Sequence, residues 1–390
     1  MEARELRALA EAQREYIVGL RRELHRIPER GFQEYKTQRV VMRALDEIGI
    51  PYITERTWVI GLIEGALEGE TIALRADMDA LPIDEPEGCA FRSEHTGMMH
   101  ACGHDAHTAI LLGAAKILYG MRHTLRGRVK LLFQPAEETD GGAEPMVAAG
   151  AMENPHVDRV YGLHVMPNLP VGVVETRPGT LNASTDSVKL TIRGKAGHGA
   201  YPDRGTDAIV CAAQVITALQ TLVSRNLSPL LSAVLTIGTI EGGTAQNIIC
   251  DEVRMRGTLR TANAEVRALM IRRIQETAEG VAKAMGCEAE AEVIEGYAAL
   301  VNDVDEAARV RRVAAGLFGE ENAVIKAEPS MGGEDFSFFC DCAKGAFFHV
   351  GCVKPERLPA PPLHSKDFAI DEDCLLVGAM MHVALVLDGQ

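Results

Sequence analysis

Near residue 182 the pattern of this sequence changes from one repeating unit to another, and near 295 it changes back. Before the change, apolar runs at 57–63, 71–75, 128–133 and 159–163 read as strands. They alternate with helical spacing at 37–48, 108–119 and 144–149. Leu6, Leu9, Ile17, Leu20 and Leu24 predict one further helix over 5–24, and Gly49 is placed to stop the helix before it. Strands alternating with helices predict a sheet covered by helices on its faces. Between the two changes the order differs. Strand-like alternation at 187–192 precedes a helix at 206–223 and strands at 231–240 and 248–259, joined through Glu241-Gly242-Gly243-Thr244. A helix at 264–284 and an alternating run at 287–294 follow. This βαββαβ order is the ferredoxin-like arrangement. A helix at 306–317, an apolar run at 346–350 and a helix at 374–387 then resume the first pattern. The expected architecture is a discontinuous α/β domain over 1–181 and 295–390, with a mixed sheet and flanking helices. An α+β domain over 182–294 is inserted in it.

A chain of 390 residues has room for about two domains. Its 55 acidic against 40 basic residues, a net charge of -15, argue against nucleic acid and against anionic membrane as partners. The first 24 residues lack an uninterrupted apolar core, so no signal peptide is expected. The apolar segments 208–223 and 374–387 fall short of the roughly 20 residues that span a bilayer and read as buried helices. Nine cysteines, an odd number without an export signal, predict reduced thiols in the cytoplasm.

The chemistry concentrates where strands end. His100, Cys102, His104 and His107 fall within eight residues, a density that a buried core does not need and a metal site does. In an extended segment Cys102 and His104 would point to one side, with a helix starting near Thr108. The apolar run Leu131-Leu132-Phe133 leads into Glu137 and Glu138. Adjacent side chains diverge, so one could bind metal while the other acts as general base. Another strand delivers Asp77 and Asp79, a third ends on His164, and His364 follows the proline-rich loop 359–362. From the cluster alone two other readings stand. Cys102 could be a nucleophile activated by His104 or His107, giving a thiol hydrolase, or the chain could be a non-catalytic metal carrier.

Motifs in order along most of the chain make the pattern specific. They are Leu24-His25-Arg26-Ile27-Pro28-Glu29 with Gly31-Phe32, then 75–82, 100–108 and 134–138, and Gly197-His198. The series continues with Gly242-Gly243-Thr244-Ala245-Gln246-Asn247, Gly332-Gly333-Glu334-Asp335-Phe336 and Leu363-His364-Ser365. In these the sequence resembles the aminoacylase and carboxypeptidase G type of dinuclear metallopeptidases. The nearest branch is that of hippurate hydrolases, N-acyl-amino-acid amidohydrolases and indoleacetyl-amino acid hydrolases.

The resemblance implies a zinc-peptidase-like catalytic domain with an inserted dimerisation or lid domain. It implies metal ligation by Cys102, His104, Glu138, His164 and His364, with Glu137 as general base and Asp79 orienting the site. Many relatives outside the branch carry a metal-binding His at the position of Asp77. It further implies that His198 meets the substrate carbonyl, from its own subunit after closure or from a partner. Asn247 and Arg260 match positions that hold the substrate carboxylate. Cys250 departs from the pattern, since relatives often have proline there. The cofactors implied are two divalent cations. Nitrogen and thiolate donors suit zinc, carboxylates admit manganese or cobalt, and nickel is a further candidate. The expected substrate is an N-acyl amino acid or a dipeptide, and the expected assembly a homodimer or larger homo-oligomer through the inserted domain.

Overall fold

The near-continuous apolar runs predicted as strands pair into one sheet, because strands buried on both faces gain most by lying side by side under helices. The computed structural model describes residues 2–388. Its largest sheet has eight strands in the order Tyr52–Glu55, Trp58–Glu64, Arg126–Gln134, Leu67–Asp77, Arg159–Pro170, Lys344–Val353, Val174–Thr176, Ala323–Ile325. The four central strands, from Arg126–Gln134 to Lys344–Val353, run parallel, and antiparallel pairs flank them. Helix His104–Gly120 is buried on every side, and Asp373–Asp388 nearly so, as helices apolar all round must be. In register, Asp77 lies opposite Gln134 and His349 opposite His164. The C-terminal ends of the parallel strands therefore converge at one edge, where open α/β sheets place their ligands.

The second sheet has four antiparallel strands, ordered Ala233–Gly242, Glu252–Thr261, Asp186–Arg193, Glu288–Glu295. Helices Ala208–Thr221 and Ala264–Ala284 pack on it, giving the βαββαβ connection. Asp207 and Asn263 start these helices by accepting the backbone N–H groups two and three residues on. The chain divides into two compact units. One runs through residue 181 and again over Val301–Glu328 and from Asp335 onward. The other is Asn182–Leu300 with Pro329–Glu334.

Several expectations change in detail. The first helix is two, Ala3–Glu11 and Arg14–His25, because the chain turns at Ala12 and Gln13. The expected strand 248–259 splits: Ile248–Ile249 pairs with Gly197–His198, and the long strand begins only at Glu252. Helix Ala208–Thr221 continues as a π-turn over Leu222–Asn226, making 19 residues long and apolar enough, by length and composition, to cross a membrane. It is also less buried than its sequence predicts. Cys211, Val215, Leu219 and Leu222 face the sheet, whereas Ile209 and Val210 are exposed.

Candidate metal centre

Gly103 sets the geometry of the histidine–cysteine cluster. It adopts φ +88°, and a Cβ on it would lie 2.4 Å from the Val165 side chain, so only glycine fits. The left-handed turn starts the helix at His104, one turn earlier than the spacing predicts, and Cys102 and His104 flank a tight corner instead of sharing an extended segment. Both are buried.

Hydrogen bonds then fix which ring nitrogens are free. His104 Nδ1 lies 3.3 Å from Asp79 Oδ1, and its buried Nε2 has no hydrogen-bond partner among the described residues. His164 Nδ1 donates to its neighbour's carbonyl, Val165 O, at 2.7 Å, leaving Nε2 3.2 Å from Cys102 Sγ. A histidine held at Nδ1 by a carboxylate or carbonyl presents Nε2 as a lone pair, the usual arrangement of a metal ligand. His364, in a left-handed conformation at φ 61°, has Nε2 2.9 Å from Glu138 Oε1, within ion-pair distance.

The five donors form two groups, Cys102–His104–His164 and Cys102–Glu138–His364. Within each, the donor atoms lie within 4.8 Å of one another, and Cys102 Sγ belongs to both. A third group joins His104 to Glu137 and Glu138. A buried His104 Nε2 with no hydrogen bond among the described residues, set among a thiol, a carboxylate and two further imidazoles, fits divalent cations, because such an atom is costly without a partner.

The electrostatics agree with that fit. Burial pushes the Cys102 thiol well above its ordinary pKa, and the Glu138 and Glu137 carboxylates push it further. The thiolate nucleophile of the competing reading is thus disfavoured, whereas a cation would favour a thiolate ligand. Burial alone would lower the pKa of His104, but Asp77, Asp79 and Glu138 outweigh it and carry it up to about 10. These carboxylates call for positive charge at this point.

Glu137 and Glu138 sit in a turn after strand Arg126–Gln134. Their backbone N–H groups donate to Oδ1 and Oδ2 of Asp79, each at 3.0 Å, so one buried carboxylate holds both residues. Asp77 has a different task. It accepts from Arg75 Nη1 at 2.7 Å and from His107 Nδ1 at 2.6 Å, while His107 Nε2 accepts the Val165 amide at 2.9 Å. With both nitrogens engaged, His107 has none to offer a metal or a thiol. Sequence reasoning counted it with the cluster; its partners, 30 and 58 positions away, decide otherwise. Arg75 continues the network to Asp335 Oδ1 at 3.0 Å and Gln134 Oε1 at 2.8 Å, giving the Gly332–Phe336 motif a structural role at Asp335. His100 is buried beside His25 with neither nitrogen bonded among the described residues, and burial takes its pKa down to about 3.

In the other unit, His198 and Asn247 are neighbours across the short pairing of Gly197–His198 with Ile248–Ile249. The Gly199 amide donates to Asn247 O at 2.8 Å. Both residues are exposed. His198 Nδ1 accepts the Ala200 amide at 3.1 Å, which leaves Nε2 to carry the proton. Arg260 lies on strand Glu252–Thr261 beside Gly333, with a buried Nη1 that forms no hydrogen bond among the described residues. Cys250 is buried and its thiol donates to Glu252 O at 3.0 Å, so it is a packed core residue.

Comparison with known proteins agrees with this geometry. Over 379 residues the chain is 36% identical to thermostable carboxypeptidase 1 of Saccharolobus solfataricus, covering 96% of this chain and 95% of that one. It is 40% identical over 362 residues to N-acetyl-L-cysteine deacetylase of Bacillus subtilis, covering 92% and 85%. A crystal structure of a Bacillus subtilis dinuclear metal binding peptidase superposes with a TM-score of 0.84 at 34% identity, over 97% of this chain and 98% of that one. The description of peptidase family M20/M25/M40 matches residues 73–388. The chain belongs to peptidase family M20/M25/M40.

Proposed function

We propose that this protein is a metal-dependent amidohydrolase that cleaves N-acyl amino acids, or small peptides with a free carboxylate, to a carboxylic acid and an amino acid. The observation that carries this reading is the pair of donor groups sharing Cys102, with Glu137 beside them. The relatives support the substrate class. A carboxypeptidase and an N-acetyl-amino-acid deacetylase both act on an amide whose nitrogen belongs to an amino acid.

The residues divide the work as follows. Cys102, His104, His164, Glu138 and His364 hold two divalent cations, with zinc, manganese, cobalt and nickel as candidates. When bound, these would supply Lewis acidity that lowers the pKa of the attacking water. Glu137 takes the proton of the attacking water and returns it to the departing amine. Asp79 holds the turn that carries Glu137 and orients His104. His198, protonated at Nε2, is suited to donate to the substrate carbonyl oxygen, where one such donor contributes about 10²–10³ in rate. Asn247 and Arg260 are assigned to the substrate carboxylate.

The proposal includes a cytoplasmic location and a homodimer or larger homo-oligomer formed through the second unit. Ile209, Val210, Val234, Ile240 and Ile294 of that unit are exposed, which supports such an interface. Sedimentation that finds monomer alone at full activity would reject it.

The activity is tested by stripping the protein with a chelator and restoring it with each of the four metals against a panel of N-acyl amino acids. Loss on chelation and recovery with metal is the expected result. Activity indifferent to chelator would instead support the thiol hydrolase.

A further inference from the structure

Glu34 has no place in the reading so far, yet it is a fully buried carboxylate that touches the segment bearing the proposed base. Its Oε1 accepts two backbone amides, Phe32 N at 3.0 Å and Ala136 N at 2.9 Å. Its Oε2 accepts the Thr57 hydroxyl at 2.7 Å. Phe32 and Ala136 each have φ 58°, the left-handed conformation that side chains with a Cβ disfavour. One oxygen therefore binds the amides of two strained residues in loops that lie about a hundred positions apart.

A second observation shows how closely those loops meet. A Cβ on Gly31 would lie 2.0 Å from Thr139 Oγ1 and 2.9 Å from Ala136 Cα, so the first loop presses against the second backbone to backbone. Ala136 immediately precedes Glu137. Three successive amides of this turn thus end on two buried carboxylates, that of Ala136 on Glu34 and those of Glu137 and Glu138 on Asp79.

We propose that Glu34 is a positioning residue for Glu137: by clasping the left-handed Ala136 to the 31–34 loop, it sets the direction in which the Glu137 carboxylate leaves the turn. The inference rests on Glu137 being the general base. Burial, together with the Asp79 carboxylate, pushes the pKa of Glu34 up to about 7 against the bonds donated to it. So costly a carboxylate would be replaced by an apolar side chain at no loss if it only filled space. Asp79 cannot take over the task, because its two oxygens already hold the next two amides.

The test uses the metal-loaded enzyme with an N-acetyl amino acid as substrate, comparing Glu34→Ala, Glu34→Gln and Thr57→Val. Glutamine retains an oxygen for both amides and alanine retains none. Glu34→Ala should lower kcat about 10- to 100-fold, as expected when a reacting group shifts by about an ångström, with KM and two bound metals per chain unchanged. Glu34→Gln should recover kcat to within about threefold of the parent. Thr57→Val, which loosens Glu34 from its far side, should lower kcat about two- to fivefold. It decides the matter if Glu34→Ala does not fold.

Unchanged kcat in Thr57→Val and in any folded Glu34→Ala overturns the inference. So does a change in KM alone, a loss of bound metal, or a Glu34→Gln as impaired as Glu34→Ala. Glu137→Gln, run alongside, separates the two claims. If it turns over normally, Glu137 is not the base and the clasp has nothing to position. If it is inactive while the Glu34 and Thr57 variants behave as the parent, only the clasp is rejected.

Discussion

Asp77 and His107 lie 2.6 Å apart, both fully buried, with the carboxylate of one accepting the Nδ1 proton of the other. His107 in turn takes the amide of Val165, whose carbonyl holds Nδ1 of His164. The pair thus orients His164, a proposed metal ligand, through one residue of backbone. His104, His107 and Arg75 hold Asp77 ionised, well below the usual carboxylate range, against the opposing effect of burial. Asp77→Asn leaves Arg75 without full compensation in a dry interior, where removing one partner of an ion pair costs about 3–5 kcal/mol. It should lower stability in urea by that order. It should also weaken metal binding about 10- to 100-fold in a calorimetric titration, as loss of a group that orients a ligand does. Unchanged stability and affinity would mean that the pair is incidental.

Glu137→Gln keeps the shape of the side chain and removes its ability to take a proton. The expected outcome is a fall in kcat of about 10²–10⁴ with two metals still bound, measured by turnover and elemental analysis on one sample. Turnover equal to the parent would exclude Glu137 as the base.

Gly103→Ala combines a forbidden backbone angle with a collision against Val165. The left-handed conformation alone costs about 1–2 kcal/mol for a residue with a Cβ. Because Cys102 and His104 flank this position, metal affinity should fall at least about tenfold along with stability. A variant that loses stability but binds metal as the parent does would show that the corner does not set the donors.

His382 gives a pH prediction away from the centre. It is wholly buried in the last helix with no hydrogen bond among the described residues, and burial takes its pKa down to about 3. The unfolded chain binds a proton here below about pH 6.5 and the folded protein does not until about pH 3. Stability is therefore lost as pH falls through that window, by about 1.4 kcal/mol per unit. His382→Leu should flatten the acid limb of the stability profile, read from urea midpoints between pH 7 and 4. An unaltered slope would place the titration elsewhere.

What could be read from the sequence was set by distance along the chain. The strand ends at Asp77 and just before Glu137 are visible because an apolar run and the polar residues after it are neighbours, whereas the strand expected to end on His164 runs on to Pro170. The four-stranded sheet is visible because each of its elements has its own periodicity. The helix start at His104 was misplaced because Gly103, the residue that bends the chain, reports on a contact with Val165, 62 positions later. Likewise the break at Ala12 has no proline or glycine to announce it. The roles of Glu34 and His107 depend on partners met only in the fold. The signal that could have found Glu34 is a lone acid between a glycine-containing turn and a helix, and many surface turns share it.

His364 donates its backbone amide to the carbonyl of Ala101, next to Cys102, so the last donor made docks on the first. During synthesis the ribosome releases Cys102 and His104 long before His364. A nascent chain held just short of His364 carries the other four candidate donors, Cys102, His104, Glu138 and His164, without the loop that docks on Ala101. All five candidate donors can therefore meet only when the C-terminal loop has docked, which ties completion of the centre to completion of the fold.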